Sequence, residues 1–99
     1  MISLSSSLKR KDQVIAQKAA NEFLLFNMED GSYYSLNEVG SRIWELCDGK
    51  LTVEQLIATL AAEYDALESM LETDVLELLE ELRQGKLISE TYGAAAALS

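Results

Sequence analysis

Residues 27–38 constrain the fold most, because they combine a turn, a short strand and a helix start within twelve positions. Asp30-Gly31 can reverse the chain direction, since glycine tolerates positive φ. Residues 32–36 contain two adjacent tyrosines in a run compatible with a strand. Asn37 can cap a following helix by accepting from its free backbone N–H groups. This segment therefore predicts β structure before it and helices after it.

Two further apolar runs predict a small sheet. Residues 14–16 favour a first strand and Glu22–Asn27 a stronger second one. Together with residues 32–36 they predict an antiparallel meander in sequence order, in which the third strand is an edge. Side chains alternate along a strand, so Tyr34 and Leu36 share one face, which we expect to face the helices.

Three amphipathic segments predict three helices. The first is expected over residues 38–47, with Gly49 as its terminator. Thr52 begins the second with a capping-box spacing to Gln55. A similar spacing from Ser69 to Glu72 begins the third, which continues through residue 83 and ends at Gly85. The buried stripe of this third helix is predicted to consist of Leu71, Val75, Leu78, Leu79 and Leu82.

The predicted domain spans residues 12–90. Residues 1–11 are Ser-rich, carry the basic cluster Lys9-Arg10-Lys11, and predict a flexible N-terminal arm. Residues 91–99 predict a flexible C-terminal tail, while Leu87-Ile88 can fold back onto the core. No proline or internal repeat divides the chain. We therefore expect one α+β domain of winged helix-turn-helix-like outline, with a three-stranded antiparallel sheet followed by three helices.

Composition narrows the class of protein. The 99 residues are 48% hydrophobic and 25% charged, which is typical of a small folded domain. No apolar stretch reaches the roughly 18 to 20 residues of a membrane span, and the N-terminal charges follow the apolar residues, unlike a secretory signal. A cytoplasmic protein is expected.

With no histidine and only Cys47, the chain offers neither a disulfide nor a usual zinc site, so we expect no cofactor and a packing role for Cys47.

The same features weigh against DNA binding and catalysis. A winged-helix transcription regulator is the alternative interpretation, but the net charge is −9, and repulsion from phosphates disfavours it. No phosphate-binding loop is present, and the helical carboxylates are better explained as solvated faces, so we expect no enzyme activity.

An exposed third strand could accept a peptide as a further strand, or could simply be an edge protected by its shortness. The acidic positions expected on the solvent side of helix three are Glu72, Asp74, Glu77, Glu80 and Glu81, against one Arg83.

The run from Asp30 to Gly49, with Tyr34-Ser-Leu36-Asn37, an Ile-Trp pair and a final Asp-Gly, resembles the PqqD family. The resemblance extends over roughly residues 14–88 and includes the apolar pattern of the later helices. Members of this family are RiPP recognition elements, which bind the leader segment of a ribosomally made precursor peptide and present it to modifying enzymes. The pathway stays open between a lasso peptide with a separate protease and a radical-SAM modified peptide such as the quinone-cofactor precursor.

The resemblance implies where such a leader would bind. It would add as an antiparallel strand to the third strand and lie in the cleft between that strand and helix three. The implied partners are the precursor leader peptide and a maturation enzyme, either a leader protease or a radical-SAM enzyme, with no nucleic acid and no membrane. The residues implied for peptide binding are Ser32, Tyr33, Tyr34, Ser35 and Leu36 on the strand, and Thr73, Leu76, Leu79, Glu80 and Arg83 on the helix.

Overall fold

The computed structural model describes residues 2–91, which form two three-stranded antiparallel sheets and three helices. The predicted α+β class is confirmed, whereas the winged outline stays a prediction. Within residues 2–91, no helix combines the length and apolar character needed to cross a membrane. The elements in chain order are β1 (Ser7–Arg10), β2 (Val14–Ala19), β3 (Glu22–Asn27), β4 (Tyr33–Leu36), α1 (Glu38–Leu46), β5 (Asp48–Thr52), α2 (Val53–Tyr64), α3 (Glu68–Gln84) and β6 (Ile88–Thr91).

The first sheet is the predicted meander, with strand order β2-β3-β4. Leu25 in the central strand lies opposite Tyr34 and is fully buried. The turn before β4 forms as expected: Gly31 has a φ of 76°, and the Asp30 carboxylate accepts a 2.9 Å hydrogen bond from the Ser32 N–H. Among the described residues β4 pairs only with β3, so it is the predicted edge strand.

The second sheet contradicts the prediction of a flexible arm over residues 1–11. Ser7–Arg10 forms β1, the central strand between β5 and β6. Leu8 is buried with only 3% exposure, and Ile2 also contributes to the core. The segment shows no sustained strand pattern, because three consecutive serines, Ser5-Ser6-Ser7, interrupt the alternation of its few apolar residues. Its partner strands come from distant parts of the chain, so local sequence carried no sign of the pairing.

The helix starts test three capping predictions. Asn37 caps α1, accepting a 2.8 Å hydrogen bond from the Gly40 N–H. Thr52 caps α2 with the complete capping box, in which Gln55 reciprocates. The predicted capping box at Ser69 is wrong, because α3 begins two residues earlier than a Ser69 cap requires, and its N-cap Leu67 offers no side-chain acceptor.

Of the two glycines that were predicted to end helices, only one does so. Gly85 ends α3 as predicted, and its N–H donates back to the last turn. Gly49 does not end α1, which stops at residue 46 with Cys47 as its C-cap. Gly49 instead lies in β5 with a φ of 83°, against the side chain of Lys9. The positive φ, which glycine adopts readily, therefore belongs to the strand that pairs with β1 and not to a helix end.

The core lies where the helices meet both sheets. Cys47 is buried, as predicted for a packing residue, and burial raises the pKa of its thiol to about 12. Leu87 and Ile88 fold back onto the core, which confirms that prediction, and Ile88 begins β6. Residues 92–99, which carry most of the predicted C-terminal tail, lie outside the described residues. The largest side chains with at most 1% exposure are Leu25, Leu60, Leu79, Leu82, Ile88, Val53 and Val75.

Leu8→Ala is expected to lower the free energy of unfolding by about 2–5 kcal/mol, because it removes a buried side chain from the central strand of the second sheet. Urea unfolding followed by circular dichroism measures this loss. Lys9→Ala, at the exposed neighbouring position, is the matched control and should change stability little. Equal unfolding midpoints for the two variants would restore the interpretation of this segment as an arm.

Candidate functional site

A groove of about 540 Å³ lies between β4, the first half of α1 and the N-terminal half of α3. Its walls are mostly apolar, and Asp74 is the one charged residue among those that line it. The groove therefore offers an apolar trough directly beside an edge strand. Its lining consists of Tyr34, Ser35, Leu36, Asn37, Val39, Gly40, Ile43, Leu71, Asp74, Val75 and Leu78.

The backbone of β4 is paired on one side only. The Asn27 N–H donates to the Ser32 carbonyl at 2.9 Å, which closes the turn. The backbone groups of Ser32 therefore point towards β3. Backbone groups of successive residues in an antiparallel strand point to opposite sides. Tyr34 and Leu36 therefore direct their backbone groups towards β3, whereas Tyr33 and Ser35 direct theirs towards the open edge. Each of these two residues presents one donor and one acceptor there.

Ser41 ties α1 to the end of β4. Its hydroxyl accepts a 2.8 Å hydrogen bond from the Phe23 N–H and donates at 3.2 Å to the Leu36 carbonyl. The hydroxyl thus stands between two backbone groups that face each other across the β3–β4 ladder. Ser41 is 2% exposed, so these groups have little access to water. This bridge holds the last residue of β4 against the first turn of α1, and no sequence pattern indicated it.

Gly40 lets α1 approach both other walls of the groove. A Cβ at this position would lie 3.3 Å from Leu36 Cδ2 and 3.4 Å from Leu78 Cδ2. It would also lie 3.2 Å from the Asn37 Oδ1 that caps the helix. The distances to Asn37 and Leu36 are tighter than ordinary van der Waals contacts, so an added side chain would require these neighbours to shift by a few tenths of an ångström. Gly40 therefore brings the three walls together at one end of the groove.

Tyr34 connects β4 to α3 at the other end. Its hydroxyl donates a 2.7 Å hydrogen bond to Glu81 Oε2. Burial, together with this carboxylate, raises the pKa of Tyr34 to about 12. Tyr33 points to the opposite face of the sheet, where it is 67% exposed and its ring centroid lies 4.8 Å from that of Phe26. The prediction that Tyr34 and Leu36 face the helices is confirmed.

The predicted strand residues have different surroundings in the structure. Tyr34, Ser35 and Leu36 line the groove. Tyr33 contributes backbone to the open edge but places its side chain on the outer face. Ser32 precedes the strand, and its N–H and hydroxyl both donate to the Asp30 carboxylate, at 2.9 Å and 2.7 Å. Three of the five predicted strand residues thus form one wall of the groove, whereas Tyr33 lies on the outer face and Ser32 belongs to the turn.

The predicted helix residues lie mostly on another face of α3. Thr73, Leu76, Glu80 and Arg83 do not line the groove, and Leu79 is fully buried in the core. Glu80 pairs with Arg83, whose hydrogen bond holds the pKa of this carboxyl below its usual range. A role of these residues in peptide binding stays a prediction.

The groove uses a set of residues that sequence reasoning assigned elsewhere or passed over. Leu71, Val75 and Leu78 were expected only in the buried stripe of helix three, yet they also form the α3 wall. Helical periodicity identifies an apolar face, but it cannot distinguish a packed core from the wall of a groove. The residues missed as site residues are Asn37, Val39, Gly40, Ile43, Leu71, Asp74, Val75 and Leu78.

Comparison with known proteins gives the family. The profile described as Coenzyme PQQ synthesis protein D (PqqD) matches residues 22–88. The chain belongs to the PqqD family. Proteins named PqqA binding protein from two strains of Xanthomonas campestris pv. campestris are 40% identical to this PqqD-family chain over 53 residues. That region is 54% of this chain and 58% of each relative, so the chain spans less than two thirds of these relatives' length.

One solved structure agrees with this assignment. The structure of TbiB1 in complex with the TbiA(beta) leader peptide matches with a TM-score of 0.75 and 30% sequence identity, over 82% of this chain and 94% of TbiB1. The resemblance to RiPP recognition elements is thereby confirmed. The heterocyclase TruD matches with a TM-score of 0.60 at 15% identity, over 90% of this chain and 12% of that protein. This second likeness concerns the fold alone.

Tyr34→Phe is expected to reduce the loss of stability at alkaline pH. Because the folded protein raises the pKa of Tyr34 from 10.0 to about 12, the unfolded chain releases this proton at lower pH. The stability contributed by the neutral hydroxyl is complete below about pH 10 and is lost as the pH rises towards about 12. Urea midpoints measured across this window should fall more steeply in the parent protein than in the variant. Midpoints at neutral pH control for the lost hydrogen bond, and parallel slopes would contradict the prediction.

Proposed function

We propose that this PqqD-family chain binds the leader segment of a ribosomally made precursor peptide, without catalysis, by strand addition along β4. The observation that carries the proposal is the apolar groove directly beside the open edge of β4. Two kinds of relatives support it: those named PqqA binding protein, and TbiB1, which was solved with a leader peptide.

Strand addition suits the geometry because one added strand would pair with the unpaired backbone groups of β4 and would also place side chains in the groove. A peptide strand beside β4 would pair with the outward N–H and C=O groups of Tyr33 and Ser35. Each such hydrogen bond contributes about 0.5–1.5 kcal/mol net. Alternate peptide side chains would lie on the same face as Leu36 and enter the groove. Burying one apolar anchor there contributes about 1.5–3 kcal/mol.

Binding alone is sufficient for a protein that delivers a precursor peptide to its maturation enzyme. A protein that holds the leader and also contacts a maturation enzyme raises the concentration of the precursor at that enzyme. The backbone ladder tolerates many sequences, so the groove supplies the selection of one leader over others. The maturation enzyme in this proposal is a leader protease of a lasso pathway or a radical-SAM enzyme.

Ser35→Pro is expected to weaken leader binding, because proline removes the outward N–H at the centre of the open edge. The loss of one hydrogen bond corresponds to about a two- to tenfold weaker affinity. Fluorescence anisotropy with the labelled leader of a precursor encoded beside this chain's gene measures the affinity. Ser35→Ala keeps the N–H and is the matched control.

A folded Ser35→Pro protein with unchanged affinity would contradict strand addition on β4. Labelled duplex DNA in the same assay addresses the alternative winged-helix regulator. Tight, salt-sensitive binding to the duplex together with no binding to the leader would favour that alternative.

Leu78→Ala is expected to weaken leader binding more than Leu76→Ala. Both side chains are partly buried and pack against the core, but only Leu78 lines the groove. The two variants therefore form a matched pair that separates the groove wall from the helix face predicted from sequence. The same anisotropy assay provides the affinities, and thermal unfolding checks that both variants fold. A larger loss for Leu76→Ala would place the leader on the face that also carries Thr73 and Glu80.

A further inference from the structure

We infer that the groove selects leader peptides that carry a basic residue on the N-terminal side of the apolar anchor, and that Asp74 recognises this residue. The inference rests on the proposed function and concerns the class of peptide rather than peptide binding itself. Asp74 is a specificity-determining residue in this account. The groove takes the anchor, and the charge of Asp74 decides which flanking residue is accepted.

The first observation is the charge of the groove. Asp74 is its one charged lining residue, and no lysine or arginine lines it. The Asp74 side chain belongs to an exposed position on α3, so its carboxylate is hydrated and accessible. None of the ion pairs found within residues 2–91 involves it; these are Lys18–Glu45, Arg42–Glu45, Arg42–Glu63 and Arg83–Glu80.

The second observation is the position of Asp74 along the groove. Leu78 meets α1 at Gly40, where an added Cβ would contact its side chain at 3.4 Å. Glu81, nearly one turn further along α3, meets β4 at Tyr34. The helix therefore runs from the α1 end of the groove towards the Tyr34 end. Asp74 lies one turn before Leu78, on the side away from Tyr34, and Leu71 continues the α3 wall beyond it.

The direction of the peptide then decides which flank meets Asp74. β4 runs from Tyr33 towards Leu36 and α1. A peptide that pairs antiparallel with β4 runs the other way, so its N-terminal residues lie at the α1 end. Residues that precede an apolar anchor seated beside Leu36 and Leu78 therefore lie beside Asp74. Residues that follow the anchor approach Tyr34 and Glu81.

The two ends differ in the carboxylate that they offer. Glu81 already accepts the hydroxyl hydrogen of Tyr34, so part of its hydrogen-bonding capacity is used. The Asp74 carboxylate is not engaged in any such pair. An acidic residue placed beside it would be repelled, and the net charge of −9 adds to this repulsion. Selection therefore combines attraction of a basic residue with rejection of an acidic one.

The test is a selection of displayed random dodecapeptides on three forms of the full chain: the parent protein, Asp74→Lys and Glu72→Lys. The parent protein should enrich peptides with lysine or arginine before an apolar residue. Asp74→Lys should enrich aspartate or glutamate at the same positions. Glu72→Lys changes the same charge on the same helix, but Glu72 lines a different depression together with Leu4 and Ile57. It should keep the parental preference.

Affinities of one enriched peptide sharpen the result. Replacing its basic residue by alanine should weaken binding to the parent protein about two- to fivefold, the range expected of an exposed ion pair. The same replacement should have no effect on binding to Asp74→Asn, a milder variant that keeps the shape of the side chain. Circular dichroism of each variant confirms folding, which the exposed position favours.

The possible outcomes separate the inference from the proposed function. Enrichment of apolar peptides without any charge preference, or the same preference in Asp74→Lys, overturns the inference and leaves peptide binding intact. A basic preference after the anchor rather than before it also overturns the inference, because it would contradict the assigned direction. Failure to enrich any peptide on the parent protein would overturn the proposed function and the inference with it.

Discussion

The position of β4 is the constraint on which the rest of the site depends. Its backbone is paired to β3 on one side, its last carbonyl is held by the Ser41 hydroxyl, and its Tyr34 side chain reaches Glu81 on α3. These attachments hold the strand on its β3 side and on the face towards α3, and they leave its other edge open. An edge strand so fixed keeps its unpaired N–H and C=O groups in a defined line. In the proposed mode of binding, a peptide strand would add without the entropic cost of first ordering β4.

The second sheet supports this arrangement from a distance. Arg10, in its central strand, donates hydrogen bonds to the Trp44 and Glu45 carbonyls at 3.1 and 2.8 Å. These carbonyls belong to the last turn of α1, where backbone donors are few and a cation is favourable; the Cys47 N–H donates to the Trp44 carbonyl as well. The guanidinium also lies 5.9 Å from the centroid of the Trp44 ring. A residue from the supposed N-terminal arm therefore stabilises the helix whose other end carries Asn37, Gly40 and Ser41.

Charge and apolar surface have separate roles in this protein. The ion pairs within residues 2–91 join partly exposed side chains, such as Arg42 and Glu63, and pairs of this kind contribute little to stability. The fold instead depends on the buried leucines and isoleucines between the helices and the two sheets. The acidic surplus remains on the surface, where it bears on which partners approach. At the groove, one acidic residue stands beside an otherwise apolar trough.

The sequence alone determined the local features. The Asp30-Gly31 turn, the meander and the Asn37 and Thr52 caps were readable, because each depends on residues close together in the chain. The family was recognisable from a residue pattern that extends over most of the chain. The tertiary structure decided the rest. β1 pairs with β5 and β6, strands that are far away in sequence. Which face of α3 forms the groove wall follows from how Gly40 and Tyr34 contact Leu78 and Glu81. Periodicity marks an apolar face, but only packing determines whether that face is filled by the core or left open to a ligand.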